Sequence, residues 1–368
     1  MSGSRRGDRT RPTSNEREEA QVQDPFQVAV GVIGTGGMGT MHAENVHDAI
    51  ANAKLVAVAD LDTGRAGSLA ERCGSAAVFE DPVDLIRDDT VEAIVIASPD
   101  PTHLPLVLEC LEHEKPVLCE KPLAENAAGA LEILEAEGRL GRKLVQVGFM
   151  RRYDPQHVAV KEAADSGTIG EPMLFKGWHR NLDQEPGLDS ASVVTNSTIH
   201  DLDSARWYLG EEIEEVYALG KNTAPKLGRD VLDLQVLQFR TTGGRLGTIE
   251  TYVVSEYGYE VGVELVGESG TAQLGPSNGA VVRRGLEISQ EVEEDWLQRF
   301  REAYFIELRS WVESLRGSAP AGPDAWDGYA ALVVADACIA SLRSRAPEKV
   351  PALEAPALYA SVGSEVVG

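Results

Sequence analysis

A glycine-rich turn near the start of the chain constrains its fold more than any other feature. The apolar run 28–33 leads into Gly34-Thr35-Gly36-Gly37-Met38-Gly39, a G-x-G-x-x-G pattern, and then into a helix-like stretch. The first glycine of this pattern allows a tight turn, the second lets the backbone approach a pyrophosphate, and the third lets helix and strand pack closely. The helix N-terminus adds N–H groups and a partial positive charge. The pattern favours a dinucleotide site, although alone it also fits a plain strand–turn–helix connection in a chain with 36 glycines.

An acidic residue after the next apolar run supports the dinucleotide interpretation. Residues 55–59 are apolar and are followed by Asp60, slightly further past the glycines than the usual spacing of about 20 residues. A carboxylate at this point binds the adenosine ribose hydroxyls and repels a 2′-phosphate. We therefore predict that the cofactor is NAD, with NADP less favoured. Arg65 would weaken that preference if its side chain folded back over the ribose.

The acidity of the chain argues against two classes of partner. The 368 residues carry a formal net charge of −25, whereas binding to nucleic acid or to an anionic membrane surface depends on Lys and Arg. We identify no apolar run of the length needed to span a bilayer. Residues 1–24 are polar and Arg-rich, and we interpret them as a disordered leader rather than a secretory signal, with contact to another chain as the alternative. A soluble cytoplasmic protein is the resulting expectation.

Cysteine and histidine spacing gives no sign of a metal site. The seven histidines form no H-x-x-x-H or His/Cys cluster, and the cysteines form no C-x-x-C. We therefore predict no metal, and we predict reduced, mostly buried thiols in a cytosolic protein. The cysteines are Cys73, Cys110, Cys119 and Cys338.

Strand-like and helix-like segments alternate over the first part of the chain. The strand-like runs are 28–33, 55–59, 93–97, 116–119 and 144–149, with helix-like runs such as 104–112 and 127–138 between them. This alternation predicts βαβ units with right-handed crossovers and a parallel sheet covered by helices on both faces. Ligands bind such a sheet at the carboxyl ends of its strands. We predict an α/β protein with a doubly wound Rossmann domain over residues 25–148.

After residue 149 the pattern becomes β-rich. Strand-like runs 168–178, 214–220, 232–240, 245–254 and 257–266 predict a large, open, mostly antiparallel sheet, with one face on helices and the other available to a partner subunit. Helices are expected at 299–315 and 325–342, and the second could pack back onto the first domain. We predict an α+β substrate-binding and oligomerisation domain over 149–346, followed by a tail at 347–368.

Three segments contain side chains suited to chemistry. Cys119-Glu120-Lys121-Pro122 lies at the carboxyl end of a predicted strand, where desolvation would lower the pKa of Lys121. In the segment 195–203, Asn196 and His200 are four residues apart and share a helix face, and Asp203 could orient the imidazole that accepts a proton. The tetrapeptide alone also fits a surface lysine, and a lone helix histidine is usually structural.

The third segment lies at the junction of the two domains. Phe149-Met150-Arg151-Arg152-Tyr153-Asp154, together with Trp178-His179-Arg180-Asn181, could line a polar pocket for a polyhydroxy ligand. An ordinary interdomain network of ion pairs is the alternative.

Taken together, these motifs resemble the Gfo/Idh/MocA oxidoreductases from about residue 27 to residue 342. The similarity extends through Tyr257-Gly258-Tyr259, Asp295-Trp296, Arg299-Phe300, Ala303-Tyr304 and the segment 325–329. The resemblance implies a Rossmann domain, an open-faced sheet domain and commonly a homotetramer built through those sheets. The chain is most similar to members that use NAD to oxidise myo-inositol at its axial hydroxyl to 2-keto-myo-inositol.

The resemblance also implies roles for individual residues. Lys121 would polarise the reacting oxygen, His200 would act as general base, and Asn196 would stand where similar enzymes often carry a catalytic Asp. An amide at that position can hold a hydroxyl but cannot take its proton. The other substrate hydroxyls would be held by Arg151, His179, Asn181 and a tyrosine of the 257–259 turn, with Tyr257 as the choice. The cofactor side would be lined by Ser98, Pro99, His103 and Glu120.

Two kinds of alternative remain open at this stage. The substrate could be another cyclitol, an aminocyclitol intermediate or a pyranose sugar, because pocket shape separates these and the sequence does not reveal that shape. A non-catalytic NAD-sensing protein is the alternative of a different class. The presence of both Lys121 and His200 argues against it.

Overall fold

The N-terminal domain is a six-stranded parallel sheet with helices on both faces. The computed structural model describes residues 27–184, 187–275, 281–317 and 322–360, so the predicted leader 1–24 lies outside the described residues. The strand order is β3-β2-β1-β4-β5-β6, which confirms the predicted doubly wound sheet. Its strands are β1 (Val28–Ile33), β2 (Ala53–Ala59), β3 (Ala77–Phe79), β4 (Ala93–Ile96), β5 (Val117–Glu120) and β6 (Val145–Gly148).

Three of the helices between these strands begin at residues that satisfy free N–H groups. The side chains of Asp62, Asp81 and Asn126 each accept a hydrogen bond from the first turn of the helix that follows. The helices are α1 (Gly37–Asp48), α2 (Thr63–Arg72), α3 (Pro82–Arg87), α4 (His103–Glu112) and α5 (Ala127–Leu140), with a 3₁₀ turn at Asp100–Thr102. Strand β3 has no counterpart in the sequence analysis, because it is three residues long and two of them are exposed.

The second domain is built on a seven-stranded mixed sheet. Its order is β12-β11-β7-β10-β9-β8-β15, and every pair is antiparallel except β10 with β7, which confirms the predicted mostly antiparallel sheet. Along β9, Leu237 and Phe239 are buried whereas Val236 and Gln238 are exposed, as expected when only one face is covered. The strands are β7 (Pro172–Arg180), β8 (Ile213–Lys221), β9 (Leu234–Thr241), β10 (Leu246–Tyr252), β11 (Glu260–Gly267), β12 (Thr271–Gln273) and β15 (Glu348–Lys349), and a separate hairpin pairs β13 (Val282–Arg284) with β14 (Glu287–Ser289).

The helices of the second domain cover the inner face of this sheet or join it to the first domain. They are α6 (Pro155–Asp165), α7 (Ser190–Val193), α8 (Ile199–Leu209), α9 (Trp296–Arg299), α10 (Arg301–Ser314) and α11 (Ala325–Ser344). Short 3₁₀ turns lie at Met150–Tyr153, Pro225–Leu227 and Leu315–Gly317, and a π-helical turn, Val194–Thr198, joins α7 to α8.

Helices α10 and α11 tie the two domains together. Leu308 and Trp311 of α10 are buried in the core beneath α1 and α2. Helix α11 places Ala330 in the core of the Rossmann sheet and Val334 in the core of the second sheet. By length and composition α11 could cross a bilayer, which differs from the sequence expectation, but 67% of its most apolar window is buried in the structure. It therefore occupies the position of a core helix.

Part of the predicted tail packs onto the protein. Residues Glu348–Lys349 form the edge strand β15 beside β8. Tyr359 is buried in the Rossmann core, where its hydroxyl contacts the buried carboxyl of Glu137. Residues 361–368 of that tail lie outside the described residues.

Candidate active site

The glycine turn leaves open space at the N-terminus of α1. Gly34 has a positive φ of 86°, and a Cβ there would lie 2.5 Å from the carbonyl oxygen of Ala97. A Cβ on Gly39 would lie 1.7 Å from the carbonyl oxygen of Gly34, so this helix and turn approach too closely for any side chain. A Cβ on Gly36, the N-cap residue of α1, would meet no neighbouring group within 4 Å in the described part of the chain. No side chain caps α1. The free N–H groups of α1 are therefore accessible to an anion.

Asp60 follows β2 and is held against the glycine turn. Its carboxylate accepts hydrogen bonds from Thr35 N and Oγ1 at 2.7 and 2.8 Å and from Asp62 N at 2.9 Å. Arg65 Nη2 lies 2.8 Å from both carboxylate oxygens, so Arg65 folds back over this position. Burial raises the pKa of Asp60, but the hydrogen bonds from Arg65, Asp62 and Thr35 outweigh it and lower the pKa to about 2.

The loops after β4 and β5 are joined by a buried histidine. The imidazole of His103 lies 2.6 Å from the carbonyl oxygen of Pro122 through Nδ1 and 2.9 Å from that of Ser98 through Nε2. Ser98 and His103 line the central cavity described below, whereas Pro99 precedes the 3₁₀ turn and does not line it. This arrangement connects the predicted cofactor side of the cavity to Lys121.

Lys121 lies immediately past the carboxyl end of β5, as predicted for a parallel sheet. Its Nζ donates a hydrogen bond of 3.0 Å to the carbonyl oxygen of Asn196, in the other domain. Burial lowers the pKa of Lys121 below its ordinary value, while the charges of Glu120 and Asp100 oppose that effect. The lysine is therefore a partly desolvated donor that faces the second domain rather than a surface residue.

The π-helical turn Val194–Thr198 directs two successive carbonyl groups at these side chains. The Asn196 oxygen accepts from Lys121, and the Ser197 oxygen lies 3.2 Å from His179 Nδ1. A π turn widens the helix by one residue, and such turns often occur at functional sites. The spacing of Asn196 and His200 predicts a regular helix here, and no signal in the sequence marks the wider turn.

His200 follows that turn and is almost completely buried. Its Nδ1 is enclosed and has no hydrogen-bond partner among the described residues, so Nε2 is the nitrogen that can meet a ligand. Burial, followed by the positive charges of Lys121 and Arg151, holds the pKa of His200 well below its usual range. The imidazole is therefore neutral near pH 7 and able to accept a proton.

A buried ion pair supports the floor of the cavity. Arg151 Nη1 donates to Asp201 Oδ1 at 2.7 Å, and both side chains are at most 1% exposed. Arg151 Nη2 also lies 3.2 Å from His179 Nδ1. That nitrogen can accept from Arg151 or donate to the Ser197 carbonyl, depending on which ring nitrogen carries the proton. Arg151 thus lies beneath His179 and not on the cavity wall.

The hypothesis that Asp203 orients the His200 imidazole is wrong. Asp203 is buried and pairs with Arg152, whose Nη2 lies 2.5 Å from Asp203 Oδ1. Arg152 also contacts Asp327 at the start of α11, with Nη2 2.8 Å from Oδ1. The charge of Arg152 turns Asp203 away from His200, so Asp203, Arg152 and Asp327 form an ion-pair network within the second domain.

These elements enclose a cavity of about 310 Å³ between the two domains. Its walls include nine of the predicted residues: Met38, Ser98, His103, Glu120, Lys121, His179, Asn181, Asn196 and His200. The buried Oδ1 of Asn181 has no hydrogen-bond partner within the described chain, so it is available to a ligand. The cavity brings together groups of both domains, such as Lys121 and His200, that lie far apart in the chain.

The tyrosine of the 257–259 turn that lines the cavity is Tyr259. Tyr259 is 3% exposed, whereas Tyr257 is 50% exposed and does not line the cavity in this chain. The Tyr257 hydroxyl contacts Glu260 and lies 3.2 Å from Arg180 Nη1. Gly258, with a φ of 144°, separates the two side chains.

Seven further cavity residues were given no individual role from the sequence. They are Ala97, Asp100, Met150, Gln184, Ser197, Trp296 and Tyr304. Trp296 and Tyr304 pack edge to face with ring centroids 6.0 Å apart and form an aromatic wall. Both occur in motifs that carried the family resemblance, which was the signal that could have identified them. Gln184 belongs to a loop with no motif.

The glycine turn that leads into the cavity residue Met38 suits NAD. The open space at Gly36, the uncapped α1 N-terminus and the Asp60 carboxylate match a pyrophosphate followed by a diol. Within the described ranges, no group of three or more His, Cys, Asp or Glu side chains is placed to hold a metal ion. The residues that would hold the cofactor are therefore those of the glycine turn and Asp60, with Ser98, His103 and Glu120 further along the cavity.

Comparison with known proteins agrees with this architecture. The family model described as "Oxidoreductase family, NAD-binding Rossmann fold", of the Gfo/Idh/MocA group, matches residues 28–149, and its "C-terminal alpha/beta domain" matches residues 161–351. An inositol 2-dehydrogenase of Rubrobacter xylanophilus is 70% identical over 337 residues, which cover 91% of this chain and 97% of that protein. An inositol 2-dehydrogenase 1 of Saccharopolyspora erythraea is 42% identical over 333 residues, covering 90% and 99%.

A solved structure has the same fold over nearly its whole length. The myo-inositol dehydrogenase of Lactobacillus casei, crystallised with NAD(H) and myo-inositol, superposes with a TM-score of 0.86 at 31% identity, covering 91% of this chain and all of that one. The matches of both domains, the glycine turn and the relatives thus indicate the same family. The chain belongs to the Gfo/Idh/MocA oxidoreductase family and is an NAD-dependent oxidoreductase.

Proposed function

We propose that this oxidoreductase oxidises a cyclitol, with myo-inositol as its main substrate and 2-keto-myo-inositol as the product. The observation that carries the proposal is the meeting of Lys121 and His200, which are far apart in the chain, on one interdomain cavity. The names of the relatives support the substrate class, since the inositol 2-dehydrogenase of Rubrobacter xylanophilus is 70% identical. The cavity volume of about 310 Å³ suits one small ring compound.

The chemistry divides between the cofactor and the protein. NAD, when bound, supplies the hydride acceptor. Lys121, a hydrogen-bond donor of lowered pKa, would hold the hydroxyl oxygen and stabilise the negative charge that develops on it. His200, which is neutral near pH 7, would take the hydroxyl proton at Nε2. One carbon–hydrogen bond and one oxygen–hydrogen bond are broken, and the carbonyl is formed.

Other cavity groups would bind the remaining hydroxyls of the ring. Asn181 offers an unpartnered buried oxygen, and Tyr259 and His179 lie on the same wall. The side chain of Asn196 can both donate and accept, so it can hold a hydroxyl while Lys121 and His200 do the proton chemistry. Arg151 would act from below by fixing His179. A pocket of this polarity selects a polyol over an apolar alcohol.

We also propose a cytoplasmic homotetramer that assembles through the open face of the second sheet. That face exposes apolar residues from three strands, each 40–51% exposed: Leu219, Val236 and Leu246. Exposed apolar side chains that share one sheet face are typical of a subunit interface. Light scattering after gel filtration measures the mass, and Leu219→Glu combined with Leu246→Glu should reduce it. A monomeric wild-type protein would refute this proposal.

Absorbance at the NADH wavelength tests the proposed reaction. The purified protein is mixed with NAD or NADP and with myo-inositol, scyllo-inositol, chiro-inositol or glucose. We expect the highest kcat/KM with NAD and myo-inositol. A clear preference for another polyol would reassign the substrate. If neither NAD nor NADP is reduced with any of these compounds, the proposed substrate class is refuted.

Two substitutions test the proposed residue roles. Lys121→Ala should lower kcat by orders of magnitude while NAD still binds, and Lys54→Ala, at an exposed position on β2, is the matched control. His200→Ala should flatten the acid limb of the pH–rate profile. A near-normal kcat in Lys121→Ala, or an unchanged limb in His200→Ala, would remove that residue from the mechanism.

A further inference from the structure

A buried histidine on α1 contacts the carboxylate that precedes Lys121. His42 Nε2 lies 2.8 Å from Glu120 Oε1, and the side chains are 0% and 9% exposed. Since a carboxylate only accepts hydrogen bonds, Nε2 carries the proton in this contact. His42 Nδ1 has no hydrogen-bond partner in the described part of the chain, so Glu120 is the polar contact that fixes the ring. Tyr304 packs edge-on against the imidazole, with ring centroids 6.0 Å apart.

The contact joins the nucleotide helix to the strand that ends at the catalytic lysine. His42 lies one turn after Met38 on the same face of α1, and Met38 lines the cavity. Glu120 is the last residue of β5, directly before Lys121. On its other side, the Glu120 carboxylate lies against Gly148 of β6, where a Cβ would be 2.8 Å from Oε2. The absence of a side chain at Gly148 leaves room for this carboxylate, so its position is defined from both sides.

Glu120 has an electrostatic effect on the reaction centre. Burial is the largest influence on the pKa of Lys121 and lowers it, and the nearby charge of Glu120 is the largest influence that raises it. The other groups that face Lys121 are Asp100, Arg151, His179 and His200. The groups that face Glu120 are His42, Cys119, and Tyr304 and Glu307 of α10. A shift in the Glu120 carboxylate would therefore change how readily Lys121 holds its proton.

We propose that His42 is a positioning residue for the proposed dehydrogenase reaction, whose Nε2 proton holds the Glu120 carboxylate beside Lys121. His42 does not line the cavity and touches no reacting atom. Its hydrogen bond instead fixes the distance between a negative charge and the lysine ammonium. The effect of His42 on turnover rests on the proposed role of Lys121. The effect of His42 on the proton of Lys121 does not, because it is independent of the substrate.

The test compares His42→Phe with His42→Gln in the full-length protein. Phenylalanine keeps the ring and its packing but removes the donor, whereas glutamine keeps an N–H donor. His47→Phe is the matched control, because His47 lies on the same helix with its side chain 38% exposed. The rate of Lys121 acetylation by acetic anhydride is followed against pH by peptide mass spectrometry, since only the neutral amine reacts.

We expect the midpoint of Lys121 labelling to fall by about 0.5–1 pH unit in His42→Phe. It should stay near the wild-type value in His42→Gln and in His47→Phe. If a polyol is oxidised, the alkaline limb of kcat should shift the same way, with little change in KM for NAD. If none is oxidised, the proposed function fails while the labelling still tests His42. An unchanged labelling midpoint in folded His42→Phe overturns the inference. If that variant does not fold, His42→Asn takes its place, because asparagine is too short to reach Glu120. An unchanged midpoint in His42→Asn then overturns the inference.

Discussion

Replacing Asn196 by aspartate should move the pH dependence of the enzyme to higher pH. Asn196 lines the cavity with Lys121 and His200, and its own carbonyl oxygen lies 3.0 Å from Lys121 Nζ. In the wild-type protein, burial and the charges of Lys121 and Arg151 hold the pKa of His200 well below its usual range. A carboxylate at position 196 adds a negative charge that favours the protonated form of both His200 and Lys121.

The size of the shift follows from Coulomb's law. If a side-chain carboxylate at position 196 is taken to lie about 6 Å from Lys121 Nζ, and the effective dielectric constant to be about 20, the two unit charges interact by about 3 kcal/mol, or about 2 pKa units. Solvent in the open cavity reduces this value, so we expect about 1 unit. Both limbs of the pH–rate profile should move to higher pH. On the acid side, a higher pKa keeps His200 protonated, and so inactive as a base, up to a higher pH. On the alkaline side, Lys121 keeps its proton up to a higher pH.

The assay is kcat/KM against pH with NAD and the best polyol. The wild-type enzyme should remain active at acidic pH, and Asn196→Asp should lose activity there and gain it at alkaline pH. Asn52→Asp is the control, because Asn52 directly precedes β2 at the edge of the sheet opposite the cavity. If the acid limb of Asn196→Asp stays in place or moves to lower pH, the assignment of that limb to His200 beside residue 196 is refuted.

Three further outcomes are expected. Tyr259→Phe should lower kcat/KM for the polyol by about tenfold or more, because Tyr259 lines the cavity, whereas Tyr257→Phe should change it by less than about threefold; equal losses would contradict this distinction. Asp201→Asn should lower the free energy of unfolding in urea by about 3–5 kcal/mol, because it leaves Arg151 buried without its carboxylate partner, and a loss below about 1 kcal/mol would argue against that pair as a stabilising contact. Arg65→Ala should raise KM for NADP more than KM for NAD in steady-state kinetics, because it removes the cation beside Asp60; improved use of NADP would contradict this.

Residues whose role depends on local backbone geometry were predictable from the sequence. The glycine turn needs a positive φ at Gly34 and close approach at Gly39, and no other residue type satisfies these demands. Lys121 could be placed near the cavity because the carboxyl ends of parallel strands meet at one edge of the sheet. Spacing along the chain carries this information, so the Rossmann sheet and the cofactor followed from it.

The direction of individual side chains in the second domain could not be predicted in this way. Asp203 is on the same helix as His200, but the buried charge of Arg152 turns it away. Tyr257 and Tyr259 are two residues apart, and only the packing around Gly258 makes one of them a cavity residue.

The chain's local patterns were thus sufficient to establish two domains, a nucleotide turn and the residue types for proton transfer. The meeting of Lys121 with Asn196 and His200 required the folded protein, because it joins the end of a parallel strand to a π-helical turn of another domain. Such contacts depend on how the two domains pack and on which buried charges find partners. Those interactions act through space between distant segments, and no spacing along the chain encodes them.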